Sequence, residues 1–165
     1  MDLPETYFDD KIHNGNSILR LLHYYPVKDK SQIPEGAVRD AAHGDINLIT
    51  LLMGGSAEGL QAQTLGGEWV PVSPADDEIV VNIGDMLARL TNNRFRSTQH
   101  RVITPREESW LTPRYSTPFF LHPRSDMDLT CLDTCISEEK PKAYSDMTAG
   151  EFLTERLIEL GLKKA

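Results

Sequence analysis

Short apolar runs, each closed by glycine, proline or a polar loop, follow one another between residues 17 and 121, and none is longer than a single strand. A chain whose apolar residues come in such pieces builds its core by pairing strands from distant parts of the sequence. Residues 17–25 carry Ile18, Leu19, Leu21, Leu22 and Tyr24 and end at Pro26, which reads as a strand. Residues 28–36 are charged, contain Pro34 and read as a loop. Residues 46–53 form the next run, ended by Gly54-Gly55. Residues 60–64 and 68–72 flank Leu65-Gly66-Gly67, a glycine turn between two strands. Residues 78–83 hold Ile79, Val80, Val81 and Ile83 and read as the clearest buried strand. Gly84-Asp85 breaks it, and Asp85 is placed to cap a short helix reaching Thr91. Strands are also expected over 99–104 and over 114–121, the latter stopped by His122-Pro123.

Helical patterns lie only at the flanks. Residues 3–12 resemble the tail of a helix. Thr148-Ala149-Gly150-Glu151 is a capping box, followed by helical spacing of Phe152, Leu153, Leu157 and Ile158 and a stop at Gly161. Many closely spaced strands with flanking helices predict a mainly β fold, an antiparallel double-sheet roll. The 165 residues fit one domain spanning 1–165, with a core over about 17–123 and a C-terminal helical extension over 124–165.

Charge and cysteine content narrow the function classes. A formal net charge of −8 argues against a nucleic-acid surface, which needs clustered positive charge to offset phosphate. No apolar run approaches the length of a membrane span, so no membrane partner is expected. The first residues, Met1-Asp2-Leu3-Pro4-Glu5, are acidic and polar, unlike a secretory signal, and a cytoplasmic location is the expectation. Cys131 and Cys135 make no disulfide framework and read as structural.

The chemistry-bearing pattern is His43-Gly44-Asp45 with His100 downstream. Two histidines and one carboxylate are the ligand set of a mononuclear non-haem Fe(II) site, which leaves one face of the metal open. On a strand, residues i and i+2 share a face, so His43 and Asp45 converge while Gly44 lets the backbone approach closely. A separate strand over 99–104 can return His100 to them. Arg114 and Ser116 are again i and i+2, an arginine fork and a hydroxyl suited to a carboxylate. Each residue alone has commoner structural uses; the ordered set is what points to metal chemistry. Both histidines must be neutral to ligate, so metal affinity should fall below about pH 6.

Five stretches carry a family resemblance: LRLLHYYP (19–26), HGDINLITLL (43–52), GLQAQTLGGEWVPV (59–72), VVNIGDMLARLTNNRFRSTQHRV (80–102) and PRYSTPFFLHP (113–123). Together, and in this order, the chain resembles the C-terminal catalytic part of the isopenicillin N synthase-like family of Fe(II)- and 2-oxoglutarate-dependent dioxygenases. The resemblance implies a double-stranded β-helix, or jelly roll. It implies Fe(II) held by His43, Asp45 and His100, and 2-oxoglutarate whose far carboxylate meets Arg114, Ser116 and Tyr25. It implies an enzyme that consumes O2, releases succinate and CO2, and hydroxylates, desaturates or ring-closes a small organic substrate. No protein side chain need act as nucleophile or general base. His13 and His122 are not expected as ligands, and His23, where many plant relatives carry asparagine, is assigned no role. Family members have a further N-terminal section; this chain opens at the helix before HYYP, so that section is expected to be missing. Two other readings fit the pattern: an iron oxidase of the same fold that uses no 2-oxoglutarate, and a short non-catalytic metal-binding or assembly module. The identity of the oxidised substrate and the oligomeric state are not written in these motifs.

Overall fold

The computed structural model describes residues 1–29, 31, 33–53, 58–104 and 107–164. The Gly54-Gly55 stop lies outside them, as do Lys30 and Gln32 of the expected 28–36 loop. Among the described residues, nine strands form two antiparallel sheets. The larger holds β1 (Ile18–Leu19), β2 (Leu22–Tyr24), β4 (Ile49–Met53), β7 (Ile79–Ile83) and β9 (Arg114–Leu121), in the order β1-β9-β4-β7 with β2 also on β9. The smaller runs β3-β8-β5-β6, from β3 (Asp40–His43), β8 (His100–Val102), β5 (Leu60–Gln63) and β6 (Trp69–Pro71). Side chains of both sheets line one cavity between them, as in a jelly roll. Helices α1 (Asp9–Ile12), α2 (Asp85–Leu90) and α3 (Ala149–Glu159) flank them.

β9 carries the larger sheet. Its eight residues pair with β1 and β2 along one edge and with β4 along the other. The expected single strand over 17–25 is two short strands, broken at Arg20 and Leu21, although both parts lie on β9. The glycine turn at 65–67 joins β5 and β6, which pair as a hairpin.

Three expectations need correction. β7 is only half-buried, because Ile79 and Val81 are 56% and 55% exposed. Strand alternation sends Val80 and Asn82 into the cavity and leaves Ile79 and Val81 on the outer face, where an edge strand has no second layer among the described residues. Asp85 does not cap α2; Gly84 holds the cap position and makes no side-chain cap. The first amides of α2 are instead satisfied by carbonyls of the chain before β4: Asp85 N donates to Asp45 O at 2.7 Å, and Met86 N donates to Ile46 O and Asn47 O. A Cβ on Gly84 would sit 2.1 Å from Asn47 O, so only glycine permits this approach. Finally, residues 1–8 are not helical, and the first helix spans only Asp9–Ile12.

The packed apolar core lies beside the cavity. Leu48 and, from α2, Met86, Leu87 and Leu90 meet Met127, Leu129, Ala149 and Phe152. The C-terminal stretch therefore supplies part of the core. Cys131 and Cys135 are buried, reduced thiols, and the Cys131 thiol donates to Arg89 O. The capping box at Thr148 forms as read: Glu151 N donates to Thr148 Oγ1, and Thr148 N donates to Glu151 Oε2.

Candidate metal centre

The three candidate ligands reach one point from two neighbouring strands and the chain that leaves the first. β3 and β8 are antiparallel neighbours with His43 directly opposite His100, so their rings lie 4.4 Å apart. Asp45 follows two residues after His43, past the end of β3, on the segment that crosses to the other sheet. Its Oδ1 lies 3.8 Å from His43 Nε2 and 3.8 Å from His100 Nε2. One ligand atom from each of the three fits within 4.8 Å of the others. These gaps are too long for direct hydrogen bonds and short enough for a single ion to touch all three.

Backbone carbonyls orient the rings. His43 Nδ1 donates to Ala41 O at 2.7 Å and His100 Nδ1 donates to Thr98 O at 3.1 Å. A carbonyl only accepts, so the proton sits on Nδ1 in each ring and the Nε2 lone pairs point toward Asp45. Gly44 is crowded: a Cβ there would lie 2.8 Å from Ser97 Oγ and 2.9 Å from Gln99 Nε2. A side chain at 44 would require the side chains of Ser97 and Gln99 to move aside.

The donor set fits a divalent cation. Asp45 is 6% exposed, and among the described residues no lysine or arginine pairs with it; its hydrogen-bond donors are the neutral Thr50 and Asn82. A buried carboxylate among neutral partners is costly, and a metal bound between two imidazoles offsets that cost.

The same cavity holds a candidate anion site. Arg114 and Ser116 point inward from β9, 3% and 7% exposed. Arg114 Nε and Nη1 have no hydrogen-bond partner among the described residues. Burial pulls the Arg114 guanidinium pKa below its ordinary value, partly opposed by Tyr24. A buried guanidinium with idle donors is built to take a carboxylate. Tyr25 is not brought to this site. It lies beyond the end of β2, is 74% exposed and packs at a tilt against His23, whose ring stacks on Tyr115. The register explains why: Tyr24 pairs with Arg114 and Leu22 with Ser116, so the inward tyrosine is Tyr24. Its ring lies 5.5 Å from the Arg114 guanidinium carbon, and burial raises its phenol pKa, with Asp40 adding to the rise.

Sequence reasoning also passed over Arg20, Thr50, Asn82 and Phe120, all of which line the cavity. A signal existed for two of them: Thr50 and Asn82 are single polar residues inside apolar strands, where a polar side chain needs a buried partner.

Residues 15–123 match the family model of the 2OG-Fe(II) oxygenase superfamily. The chain is 37% identical over 166 residues to the proline hydroxylase buaE of Petromyces alliaceus, covering 96% of this chain and 51% of that protein. It is 35% identical to the azadirone synthase LFS of Melia azedarach, covering 97% of this chain and 48% of the relative. Among solved structures, a 2OG-Fe(II) oxygenase family protein from Caulobacter crescentus superposes with a TM-score of 0.86 at 46% identity, over 96% of this chain and 50% of the other. A full-length Neurospora crassa protein in complex with alpha-KG and thymine gives 0.86 at 36% identity, over 96% and 48%. The chain spans about half the length of the curated relatives it matches.

Proposed function

The chain belongs to the 2OG-Fe(II) oxygenase superfamily, and from this premise we propose that it is the iron-binding core of a 2-oxoglutarate-dependent dioxygenase acting on a small organic substrate. His43, Asp45 and His100 would hold Fe(II), and Arg114 with Ser116 would hold the far carboxylate of 2-oxoglutarate. One observation carries the reading. A buried carboxylate flanked by two oriented imidazoles shares a cavity with a buried arginine that has idle donors.

Bound there, iron with 2-oxoglutarate and O2 supplies the oxidation of a substrate C–H bond, with succinate and CO2 as co-products. The chain's own contribution is placement. The two imidazoles would supply neutral nitrogen donors to the ion, and Asp45 would supply negative charge that offsets part of the ion's own. Arg114 fixes one end of the co-substrate by charge and direction, and Tyr24 takes the place first expected for Tyr25 beside it. Leu52, Leu60, Val72 and Val80 give the cavity apolar walls that keep water from the reacting atoms. Arg20 and Phe120 lie among the lining residues available to an organic substrate. The finer placement beside isopenicillin N synthase-like enzymes is part of the proposal and rests on the HYYP, HGD and RYS stretches.

The test is anaerobic titration. Fe(II) with 2-oxoglutarate should give a weak visible charge-transfer band that His43→Ala abolishes. Arg114→Ala should weaken 2-oxoglutarate binding while metal binding persists. Unchanged 2-oxoglutarate affinity in Arg114→Ala would overturn the co-substrate assignment.

A further inference from the structure

Asp45 has two carboxylate oxygens, and the fold treats them differently. Oδ1 faces His43 and His100. Oδ2 faces the larger sheet and takes two hydrogen bonds, from Thr50 Oγ1 at 2.5 Å and Asn82 Nδ2 at 2.8 Å. Thr50 and Asn82 are direct cross-strand partners on β4 and β7, just as His43 and His100 are on β3 and β8. The carboxylate therefore sits between two facing pairs, one from each sheet.

The direction of the Thr50 bond is set by a further residue. Asn47, fully buried, donates its Nδ2 to Thr50 Oγ1 at 2.9 Å. An amide nitrogen only donates, so Thr50 accepts from Asn47 and its one proton must go to Asp45. The donors on Oδ2 are thus both neutral and both directed. They compete with a cation for that oxygen's lone pairs and hold the carboxylate plane against rotation.

We propose that Thr50 and Asn82 are positioning residues that clamp Asp45 so that it offers a single oxygen to the metal. This inference rests on the metal-centre reading above. Without the clamp, Asp45 can turn or bind through both oxygens, which weakens the set and takes up a metal position that the co-substrate needs. Partners that orient a ligand in this way typically contribute 10- to 100-fold in metal affinity.

The experiment uses Co(II), whose visible bands report coordination geometry, added to the full chain freed of metal. Thr50→Val keeps the side-chain shape and deletes the donor; Asn82→Ala deletes the other. Each should weaken Co(II) binding by about 10- to 100-fold and change the shape of the visible bands. Thr50→Ser, which keeps the hydroxyl, should restore both. Thermal melting of the metal-free variants confirms that they are folded. If Thr50→Val loses its cooperative melt, Asn82→Ala decides, because Asn82 is only partly buried whereas Thr50 is fully buried. Folded variants that bind Co(II) with wild-type affinity and unchanged bands would overturn the clamp. A wild-type chain that takes up no Co(II) would instead overturn the metal-centre reading itself.

Discussion

The space between the two sheets and the space beneath α2 are built on opposite principles. Between the sheets, the buried inward positions include polar and charged groups: Asp45, Thr50, Arg114 and Ser116. Beneath α2 the packed cluster is apolar: Met86, Leu90, Leu129 and Phe152 meet with almost no exposure. The roll interior, which in an ordinary sandwich would be a closed hydrophobic core, here sets buried polar and charged groups, which stabilise little on their own, among apolar walls. Cohesion comes from the layer beside it, and the two are fastened by α2. Its amides bind the carbonyls of 45–47, and its apolar face enters the core. Stability and ligand binding are therefore carried by different side chains.

That separation can be broken in graded steps. The largest effect should come from the core: Leu129, fully buried, replaced by alanine should cost about 2–5 kcal/mol of stability. Urea melts measure it, and the folded fraction should still bind metal normally; a matching loss of metal affinity would erase the distinction. His100→Ala should do the reverse, removing about 3 kcal/mol or more of metal binding while leaving the metal-free melt near wild type. Calorimetric titration with Fe(II) under anaerobic conditions reads the first and scanning calorimetry the second. Arg114→Met should cost about 1.5–3 kcal/mol of 2-oxoglutarate binding, and the metal-free protein should be no less stable, because a buried charge with idle donors is removed. Thr148→Ala, at the far end of the core layer, should cost about 1 kcal/mol and leave the cavity untouched.

The smallest effect tests a residue between the two regions. Burial pushes the His122 imidazole pKa below its usual value, and the Asp45 charge opposes part of that. The native state then stays neutral where the unfolded chain takes a proton. Stability should fall as pH drops through about 6.5 and level off below the native-state value. Melts in EDTA between about pH 7.5 and 5.5, which bracket the ordinary imidazole value, should show a shallower decline for His122→Gln than for wild type. Parallel curves would mean that His122 contributes nothing to the acid sensitivity.

Much of this was legible along the chain because the signals are local. The 114–121 strand, the 65–67 turn, the helix after Gly84 and the capping box at Thr148 each depend on residues a few positions apart, and their bounds were read closely. His43 and Asp45 were readable as a pair by spacing. What misled was one-sidedness. Ile79 and Val81 are as apolar as any core pair, and no local rule says that one face of β7 is left exposed. Tyr24 and Tyr25 are adjacent and identical, and only the pairing of Tyr24 with Arg114 says which one turns inward.

The sequence by itself determined the ligand types, their order, the strand-rich character and the helix ends, because composition, periodicity and caps act over a few residues. Only the tertiary structure decided that His43 would face His100, that Thr50 and Asn82 would meet across the opposite sheet, and that Asp45 would fall between them. Those are matters of strand register, set when segments far apart in the chain pair, and a shift of one residue would turn the strand residues His43, His100, Thr50 and Asn82 to the other face.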